Sequence, residues 1–298
     1  MEKPLVTYIV TPICDAFIAR FVYTLYKFSE PGSFRLIVID QCENQFRKEV
    51  MDYVLPLCHL YIHPKHNLGY AKAMNEGVIH AIRWGTPYIC CSNDDIEIMD
   101  SRWIDGIYET FEMDERIGAV VPMSSRAAGW GYGVSYNPEI IPYKKEYTKE
   151  DYDFLLKGDF TKVEGLPPTM PKQMGGTVVD GAVFIMTYFK RSVILDVGLM
   201  DERYWPGSGE DVDWNARAYQ KGYRVVSTSK SWIFHAWSKS KDLFASGELE
   251  RAYYKPTNKT YWNNEGDLWS EGFDVWGKDK EGNLYPRVPE IFVDQINF

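Results

Sequence analysis

Short apolar runs alternate with segments of helical periodicity through residues 1–123, and this alternation constrains the fold more than any other feature of the sequence. Residues 34–40 (FRLIVID) are apolar almost throughout, as expected for a strand that is buried on both faces. Phe17, Phe21 and Leu25 instead recur at the spacing of one helix face. Strands that alternate with amphipathic helices predict an α/β fold with a mostly parallel, doubly wound sheet.

The same criteria predict the remaining elements along the chain. Strands are predicted at residues 5–11, 58–62, 88–92, 117–123, 178–187, 224–228 and 232–234, and helices after Asp15, around Met74 and Val78, around Trp103 and Ile107, and at 192–197 and 210–221. In the last helix we expect Val212, Ala216 and Tyr219 to face inward. Ligands of doubly wound sheets bind at the carboxyl ends of the strands. Those ends carry the polar residues Thr11, Asp40, Asn93, Asp94 and Asp95.

Two stretches depart from this rhythm. Residues 124–176 are rich in Gly, Pro, Tyr and Lys without sustained periodicity, and we interpret them as an excursion beside the site. Residues 242–298 are polar with scattered Trp and Tyr, which predicts a C-terminal extension packed on the core. The expected organisation is one domain at 1–241, with halves at 1–123 and 124–241, followed by that extension.

Composition excludes several classes of protein. The formal net charge of −9 and the pI of about 5.2 argue against broad binding to nucleic acid or to anionic membranes. The five cysteines include no C-x-x-C pair, so no structural zinc is expected. The first residues lack a secretory pattern, and no apolar run approaches the roughly 18 residues that span a bilayer. These observations predict a cytoplasmic protein without a transmembrane segment.

Two acidic motifs are candidates for chemistry. Asn93, Asp94 and Asp95 follow a buried strand, where adjacent carboxylates suit a hard cation such as Mg²⁺ or Mn²⁺ shared with phosphate, or else form an acidic turn. Glu210 and Asp211 open a predicted helix, where a carboxylate could serve as a general base. Taken alone, the second motif is better explained as an acidic first helical turn stabilised by the helix dipole.

Three further signals are weaker when taken alone. His235 follows a predicted strand and could bind a metal through neutral imidazole, although a single histidine is more often structural; His63 and His66 are weaker still. Residues 67–75 (NLGYAKAMN) could receive phosphate at a helix start, or simply begin a helix at Asn67. The chain lacks a P-loop, a G-x-G-x-x-G after its first strand and a G-x-S-x-G elbow, which argues against the corresponding enzymes.

The order and spacing of these features resemble the GT-A glycosyltransferases of inverting family 2, including rhamnosyltransferase-like members. The matching segments are VTYIVTPICD, LIVIDQCEN, HNLGYAKAMNEGV, CCSNDDIEI, DGAVFIMTYFKRSVILDVGLMDERY, GEDVDWNARAYQKGYRVV and WIFH. They extend over residues 5–235, and residues 180–235 are the most specific part. The resemblance implies transfer of a sugar from a nucleoside diphosphate sugar to an acceptor hydroxyl, most naturally in glycan biosynthesis.

The resemblance also implies a role for each matched residue. Asp95 and His235 are implied as ligands of Mn²⁺ or Mg²⁺, with Asn93 where the family usually has aspartate. Asp211, with Glu210 beside it, is implied as the general base. The donor is expected to contact the other matched residues: Thr11, Pro12, Asp15 and Asp40 at the nucleotide, Asn67, Gly69 and Lys72 at the nucleotide and diphosphate, Asp94 at the metal or ribose, Asp180, Gly181 and Ala182 under the sugar, and Trp205 at the acceptor border.

Three other functions are compatible with parts of the pattern. The acceptor could be a nucleobase or a virion protein instead of a glycan. A non-catalytic carbohydrate- or nucleotide-binding module could share the fold, although Asp95, Asp211 and His235 argue against it. A nucleotidyltransferase is the weakest alternative, because no glycine-rich loop with arginine and lysine follows the first strand. The expected partners are a nucleotide sugar and a glycan or glycoconjugate, with a homodimer as an open alternative.

Overall fold

The computed structural model describes residues 5–13, 15–41, 48–98, 101–124, 178–180, 182–204, 207 and 209–235, together with four short strands between residues 259 and 286. The predicted excursion at 124–176 lies almost entirely outside the described residues. The core strands are β1 (Val6–Val10), β2 (Phe34–Ile39), β3 (Leu60–Ile62), β4 (Tyr88–Ser92), β5 (Ile96–Ile98), β6 (Ile117–Ser124), β7 (Val178–Asp180), β8 (Met186–Lys190) and β9 (Arg224–His235). The helices are α1 (Asp15–Phe28), α2 (Lys48–Val54), α3 (Tyr70–Arg83), α4 (Trp103–Glu112), α5 (Arg191–Val197) and α6 (Glu210–Gln220).

The core strands form one mixed sheet in the order β3-β2-β1-β4-β8-β6-β9-β5, and β7 pairs with β9. The first four strands of this order are parallel. Strand β8 is antiparallel to both β4 and β6, while β6 and β9 are parallel to each other. Six of these nine strands therefore run in one direction, which confirms the predicted mostly parallel α/β architecture.

The helical stripes predicted for α1 and α3 are buried against this sheet. Phe17, Phe21 and Leu25 of α1 lie in the core. Helix α3 approaches β1 closely because residue 77 is glycine. A Cβ atom there would lie 2.4 Å from Cγ2 of Ile9. Gly85 follows the helix at φ 71°, the left-handed conformation in which glycine commonly ends a helix.

Three predicted elements differ from the structure. Residues 178–187 do not form one strand, because residues 182–185 leave the sheet: the main-chain amide of Asn93 donates to Ile185 (2.8 Å), and the Phe184 ring packs on Trp214. Residues 224–228 and 232–234 belong to one strand, β9, with a register shift against β6 between Thr228 and Trp232. Helix α2 and strand β5 were not predicted at all.

The prediction for the inward face of α6 was wrong. Tyr219 is 41% exposed, and Val212 and Ala216 are only partly buried. The helix instead buries Glu210, Asp213, Trp214, Asn215 and Ala218. The apolar pattern predicted the wrong inward face, because buried charge and the large Trp214 ring, rather than small aliphatic side chains, determine which face of α6 packs on the core.

The C-terminal region contributes two short antiparallel pairs, β10 (Lys259–Trp262) with β11 (Leu268–Glu271), and β12 (Trp276–Lys278) with β13 (Leu284–Pro286). Among the described helices, none has both the length and the apolar character needed to cross a bilayer.

Candidate active site

Strand β5 brings two distant motifs together at the edge of the sheet. Strand β4 ends at Ser92, the chain turns through the acidic motif, and β5 pairs antiparallel with the end of β9 so that Ile96 is opposite His235. Nε2 of His235 lies 3.1 Å from Oδ1 of Asp95 and 3.4 Å from Nδ2 of Asn93. Residues 142 positions apart in the chain thus form one corner.

This corner concentrates negative charge away from water. Asp94, Asp95 and His235 are 6%, 6% and 4% exposed. Burial, and then the neighbouring charge of Asp95, hold the pKa of Asp94 well above its usual range. Oδ2 of Asp94 is buried and has no hydrogen-bond partner among the described residues. A buried carboxylate oxygen left in this state favours a cation in the folded protein.

The donor set fits a hard divalent cation that is only partly ligated by protein. Carboxylate oxygens and imidazole nitrogen are both accepted by Mn²⁺ and Mg²⁺. Among the described residues, no three His, Cys, Asp or Glu side chains surround a common point closely enough to form a complete metal cage. Mg²⁺ commonly takes one or two carboxylates and completes its shell with water and substrate phosphates, which is the arrangement that Asp95 and His235 suit.

Asp211 sits at the start of α6, where the main chain holds its carboxylate. Oδ1 accepts from the amide of Val212 (2.8 Å), and Oδ2 accepts a longer bond from Phe184 (3.4 Å). Burial raises the pKa of Asp211, and these main-chain bonds oppose that rise. A carboxylate that is buried but still bonded to N–H groups is a stronger proton acceptor than an exposed one.

One segment couples Asp211 to the corner formed by Asp95 and His235, which we call the metal corner. Phe184 donates its amide to Asp211, and the carbonyl of the next residue, Ile185, accepts the amide of Asn93 at 2.8 Å. Adjacent residues of one chain segment therefore hold both motifs. The structure brings a candidate base and a candidate metal site to the same edge of the sheet.

The opposite side of this edge is built around Asp40, which follows β2. Tyr61 donates its hydroxyl to Oδ2 of Asp40 (2.5 Å), and Nδ1 of His63 lies 3.3 Å from the same oxygen. Thr11 and Pro12 are buried at the end of β1, as expected for parallel strands that end together. No strong sequence signal marks His63, because its partner is set by the pairing of β2 with β3.

Gln41 is a residue of this edge that sequence reasoning missed. Its amide donates to the carbonyl of Pro12 (2.8 Å), and its Oε1 accepts the amide of Leu68 (2.8 Å). It therefore ties the start of α3 to the first strands. A glutamine after a buried strand carries no specific signal, so only the structure reveals this contact.

The start of α3 is shaped by the predicted glycine motif. Asn67 accepts the amide of Gly69 (2.8 Å), and Gly69 precedes the helix at φ 79°. Lys72, 45% exposed along its side chain, lies 3.4 Å from Glu202. Asn75, which was also missed, exchanges hydrogen bonds with Met200 (2.8 and 3.0 Å) and so joins α3 to the segment before α6.

Not every predicted residue joins this cluster. The Asp180 side chain is 55% exposed and pairs through two bonds with Arg224, at the far end of β9 from His235. Its strand partner Val226 is nine residues from His235, roughly 25–30 Å along the strand, so the structure does not bring Asp180 to the metal corner. Ala182 is buried and bonded to Asn215 through its carbonyl. His66 is exposed.

Three predicted positions lie outside what the structure describes: Gly181, Trp205 and the side chain of Asp15, although Asp15 begins α1.

Solved structures share this fold. A mannosyltransferase from Pyrobaculum calidifontis, in complex with GDP-Man and Mn²⁺, superposes with a TM-score of 0.52 at 16% identity, covering 80% of this chain and 58% of that one. GalNAc-T7 with UDP, GalNAc and Mn²⁺ gives 0.52 at 13% identity, over 78% and 44% of the two chains. S. aureus TarS 1-349 gives 0.50 at 14% identity, over 82% and 63%. The architecture is that of the GT-A glycosyltransferases.

The sequence comparison defines the family. The model of glycosyl transferase family 2 matches residues 8–164, more than half of the 298 residues, and the chain belongs to that family. A galactofuranosyl glycosyltransferase from Leishmania donovani is 25% identical over 200 residues, which cover 63% of this chain and 45% of the relative. The chain thus spans less than half the length of that relative.

Proposed function

We propose that the chain is a divalent-metal-dependent, inverting glycosyltransferase that uses a nucleoside diphosphate sugar and acts on a hydroxyl of a glycan or glycoconjugate. The observation that carries the proposal is the joint placement of the Asp95–His235 corner and Asp211 by adjacent residues, Phe184 and Ile185. Family membership supplies the reaction class, and the buried charges supply residues suited to it.

In this mechanism the acceptor hydroxyl lies against Asp211, which takes its proton as the oxygen attacks the anomeric carbon. The bond between that carbon and the diphosphate breaks on the opposite side, so the configuration inverts. Asp95 and His235 would hold Mn²⁺ or Mg²⁺, which supplies positive charge to the departing diphosphate. Burial keeps Asp211 basic, and its bonds from Val212 and Phe184 fix its direction.

The nucleotide is assigned to the edge formed by Thr11, Pro12, Asp40 and Gln41, with the diphosphate near Gly69 and Lys72. Gly69 and Lys72 lie at the N-terminal end of α3, where main-chain N–H groups and the helix dipole favour anions. Asn93 and Asp94 lie beside the two residues that would hold the metal. The donor-sugar role expected of Asp180 has no support from its exposed pairing with Arg224.

The base and the sugar of the donor are identified by a direct binding test. The relatives are described as mannosyl-, galactofuranosyl- and GalNAc-related proteins, and the sequence resembled rhamnosyltransferase-like members. Purified protein is screened by thermal shift with GDP-mannose, UDP-galactofuranose, UDP-GalNAc and dTDP-rhamnose, each with Mn²⁺ and with EDTA. A metal-dependent rise in melting temperature with one donor supports the proposal; no rise with any donor contradicts it and favours the non-catalytic module.

The organisation that we propose is a catalytic domain at residues 1–241 and a C-terminal extension at 242–298. A cytoplasmic location and a homodimer remain predictions. A nucleobase or virion-protein acceptor requires binding to DNA or to a virion protein, so transfer to simple glycan acceptors argues against both.

A further inference from the structure

Tyr70 carries a buried group that the mechanism above leaves unexplained. It is the first residue of α3, directly after Gly69. Its hydroxyl oxygen is buried and has no hydrogen-bond partner among the described residues. Native proteins seldom bury a hydroxyl in this way, because the lost contacts with water are not replaced.

The surroundings of Tyr70 connect it to the candidate base. The ionisable groups that act on the ring are Cys90 and Cys91 from β4, and Glu210 and Asp211 from α6. The backbone of Gly207, which precedes α6, passes close to Tyr70, since a Cβ atom at Gly207 would lie 3.3 Å from Cβ of Tyr70. Burial first, and then these neighbours, raise the pKa of Tyr70 well above its usual value. The phenol is therefore a neutral hydrogen-bond donor close to carboxylates.

Asp211 has the capacity to accept such a bond. Its shortest main-chain bond runs from Val212 to Oδ1 (2.8 Å); the bond from Phe184 to Oδ2 is long at 3.4 Å, and the amides of Asp211 and Gly209 act on the carboxylate more weakly. A carboxylate has about four lone-pair sites in total. Gly207 and Gly209 precede it with φ values of 157° and 97°, and both values lie in the region that favours glycine.

We propose that Tyr70 is a positioning residue whose hydroxyl donates to the carboxylate of Asp211 when the acceptor is bound. The bond fixes the carboxylate toward the acceptor hydroxyl and stabilises its ionised form. Tyr70 keeps its own proton throughout, and the acceptor proton passes to Asp211. This inference rests on the proposed function, because it assigns Tyr70 to the same base.

The test compares Tyr70→Phe with the wild type and with a matched control, Tyr188→Phe. Tyr188 is a fully buried tyrosine whose hydroxyl donates to Tyr8 (3.4 Å) within the aromatic core. Steady-state transfer is measured across pH with the donor and metal found in the screen. The acid limb of kcat reports the enzyme–substrate complex, and that of kcat/KM reports the free enzyme.

For Tyr70→Phe we expect plateau kcat to fall about 10-fold and the acid limb of kcat to move up by about one pH unit, as the loss of one charge-assisted bond predicts. The acid limb of kcat/KM for the acceptor stays in place, as does the Kd of the donor. Tyr188→Phe leaves both limbs in place, and melting temperatures show that both variants fold.

Other results would overturn the assignment. If Tyr70→Phe behaves like Tyr188→Phe, the hydroxyl only fills space. If both acid limbs move together, the bond already exists without acceptor; if the donor Kd weakens, the hydroxyl serves the donor. A wild-type enzyme that transfers no sugar from any donor refutes the proposed function itself, and the role of Tyr70 with it.

Discussion

The two halves of the site are positioned by different means. Around Asp40, the main chain sets the geometry: parallel strands end together, and amides such as that of Gln41 bond across their ends. Around Asp211, main-chain amides hold the carboxylate, but buried side chains anchor the helix that carries it: Asp213 pairs with Arg217 (2.9 Å), and Arg217 also bonds the carbonyls of Val197 and Leu199. The first half depends on topology, and the second depends on individual charged residues.

This difference leads us to expect that single substitutions in the second half have the larger effects. A main-chain contact survives most side-chain changes, whereas a buried charged pair that loses one partner leaves the other charge uncompensated. The following experiments test that contrast.

The largest expected effect is on the candidate base. Asp211→Asn should lower transfer by about 1,000-fold, within the range of general-base contributions, while the donor binds as in the wild type. Transfer is measured with a radiolabelled donor, and donor binding by calorimetry. Asp213→Asn is the matched control, since Asp213 is buried two residues away but bonded to Arg217. Its variant should melt earlier yet keep most of its activity once folded; normal turnover by Asp211→Asn would remove the base from the mechanism.

The metal corner comes next. Asp95→Asn and His235→Ala should each weaken Mn²⁺ binding by about 10- to 100-fold, because each removes one of two protein ligands. Mn²⁺ affinity is measured by electron paramagnetic resonance, and transfer in EDTA is compared with transfer after Mn²⁺ or Mg²⁺ is restored. Glu97→Gln is the control, because it alters the ion pair that supports β5 without removing a metal ligand. Full activity of the wild type in EDTA would rule out a metal role for the corner.

A buried ion pair also supports β5, and it tests whether individual charges matter outside the surroundings of Asp211. Arg20 donates two bonds of 2.7 Å to Glu97, and burial lowers the pKa of Arg20 to about 10 although Glu97 opposes the shift. Arg20→Met should cost about 3–5 kcal/mol of the free energy of unfolding, because Glu97 keeps a buried charge. Urea unfolding measures this free-energy change. A loss below about 1 kcal/mol, as for exposed pairs, would show that the Glu97 carboxylate becomes hydrated when Arg20 is replaced.

The pH dependence of transfer sharpens the assignment of Asp211. A base acts only when ionised, so activity is lost as pH falls through its pKa. Because burial raises that pKa, we expect the acid limb of kcat/KM to lie above the ordinary carboxylate value of about 4. A pH–rate profile between pH 4 and 9 locates the acid limb relative to the ordinary carboxylate value. An acid limb at or below the ordinary value would mean that an exposed carboxylate is the base.

The smallest effect is expected at Asp180. Asp180→Asn loses an exposed pair with Arg224, which should change stability by less than about 1 kcal/mol and transfer by less than about three-fold. The donor KM is the decisive quantity. A large rise in KM would return Asp180 to the donor sugar, in agreement with the family resemblance and against the geometry described above.

The sequence predicted the parts of the fold that follow from periodicity. The alternation of strands and helical stripes located β1, β2, β4, α1, α3 and α4, and strand ends located the candidate site. Periodicity did not predict elements that depend on tertiary contacts. Strand β5 has three residues with a glutamate at its centre, and it is a strand only because β9 and α1 flank it. Likewise, no sequence motif identifies the contacts of Gln41 and Asn75, whose partners are remote in sequence.

The pairing of β5 with the end of β9 also has a consequence for how the chain folds. Contacts between residues more than a hundred positions apart form late, because closing a long chain segment costs entropy before the contact gains anything. The parallel strands β1, β2 and β4 need no contribution from β9. We therefore expect a growing or partly folded chain to acquire its nucleotide edge first and its metal affinity last. A chain that binds Mn²⁺ has, by this order, already completed its core.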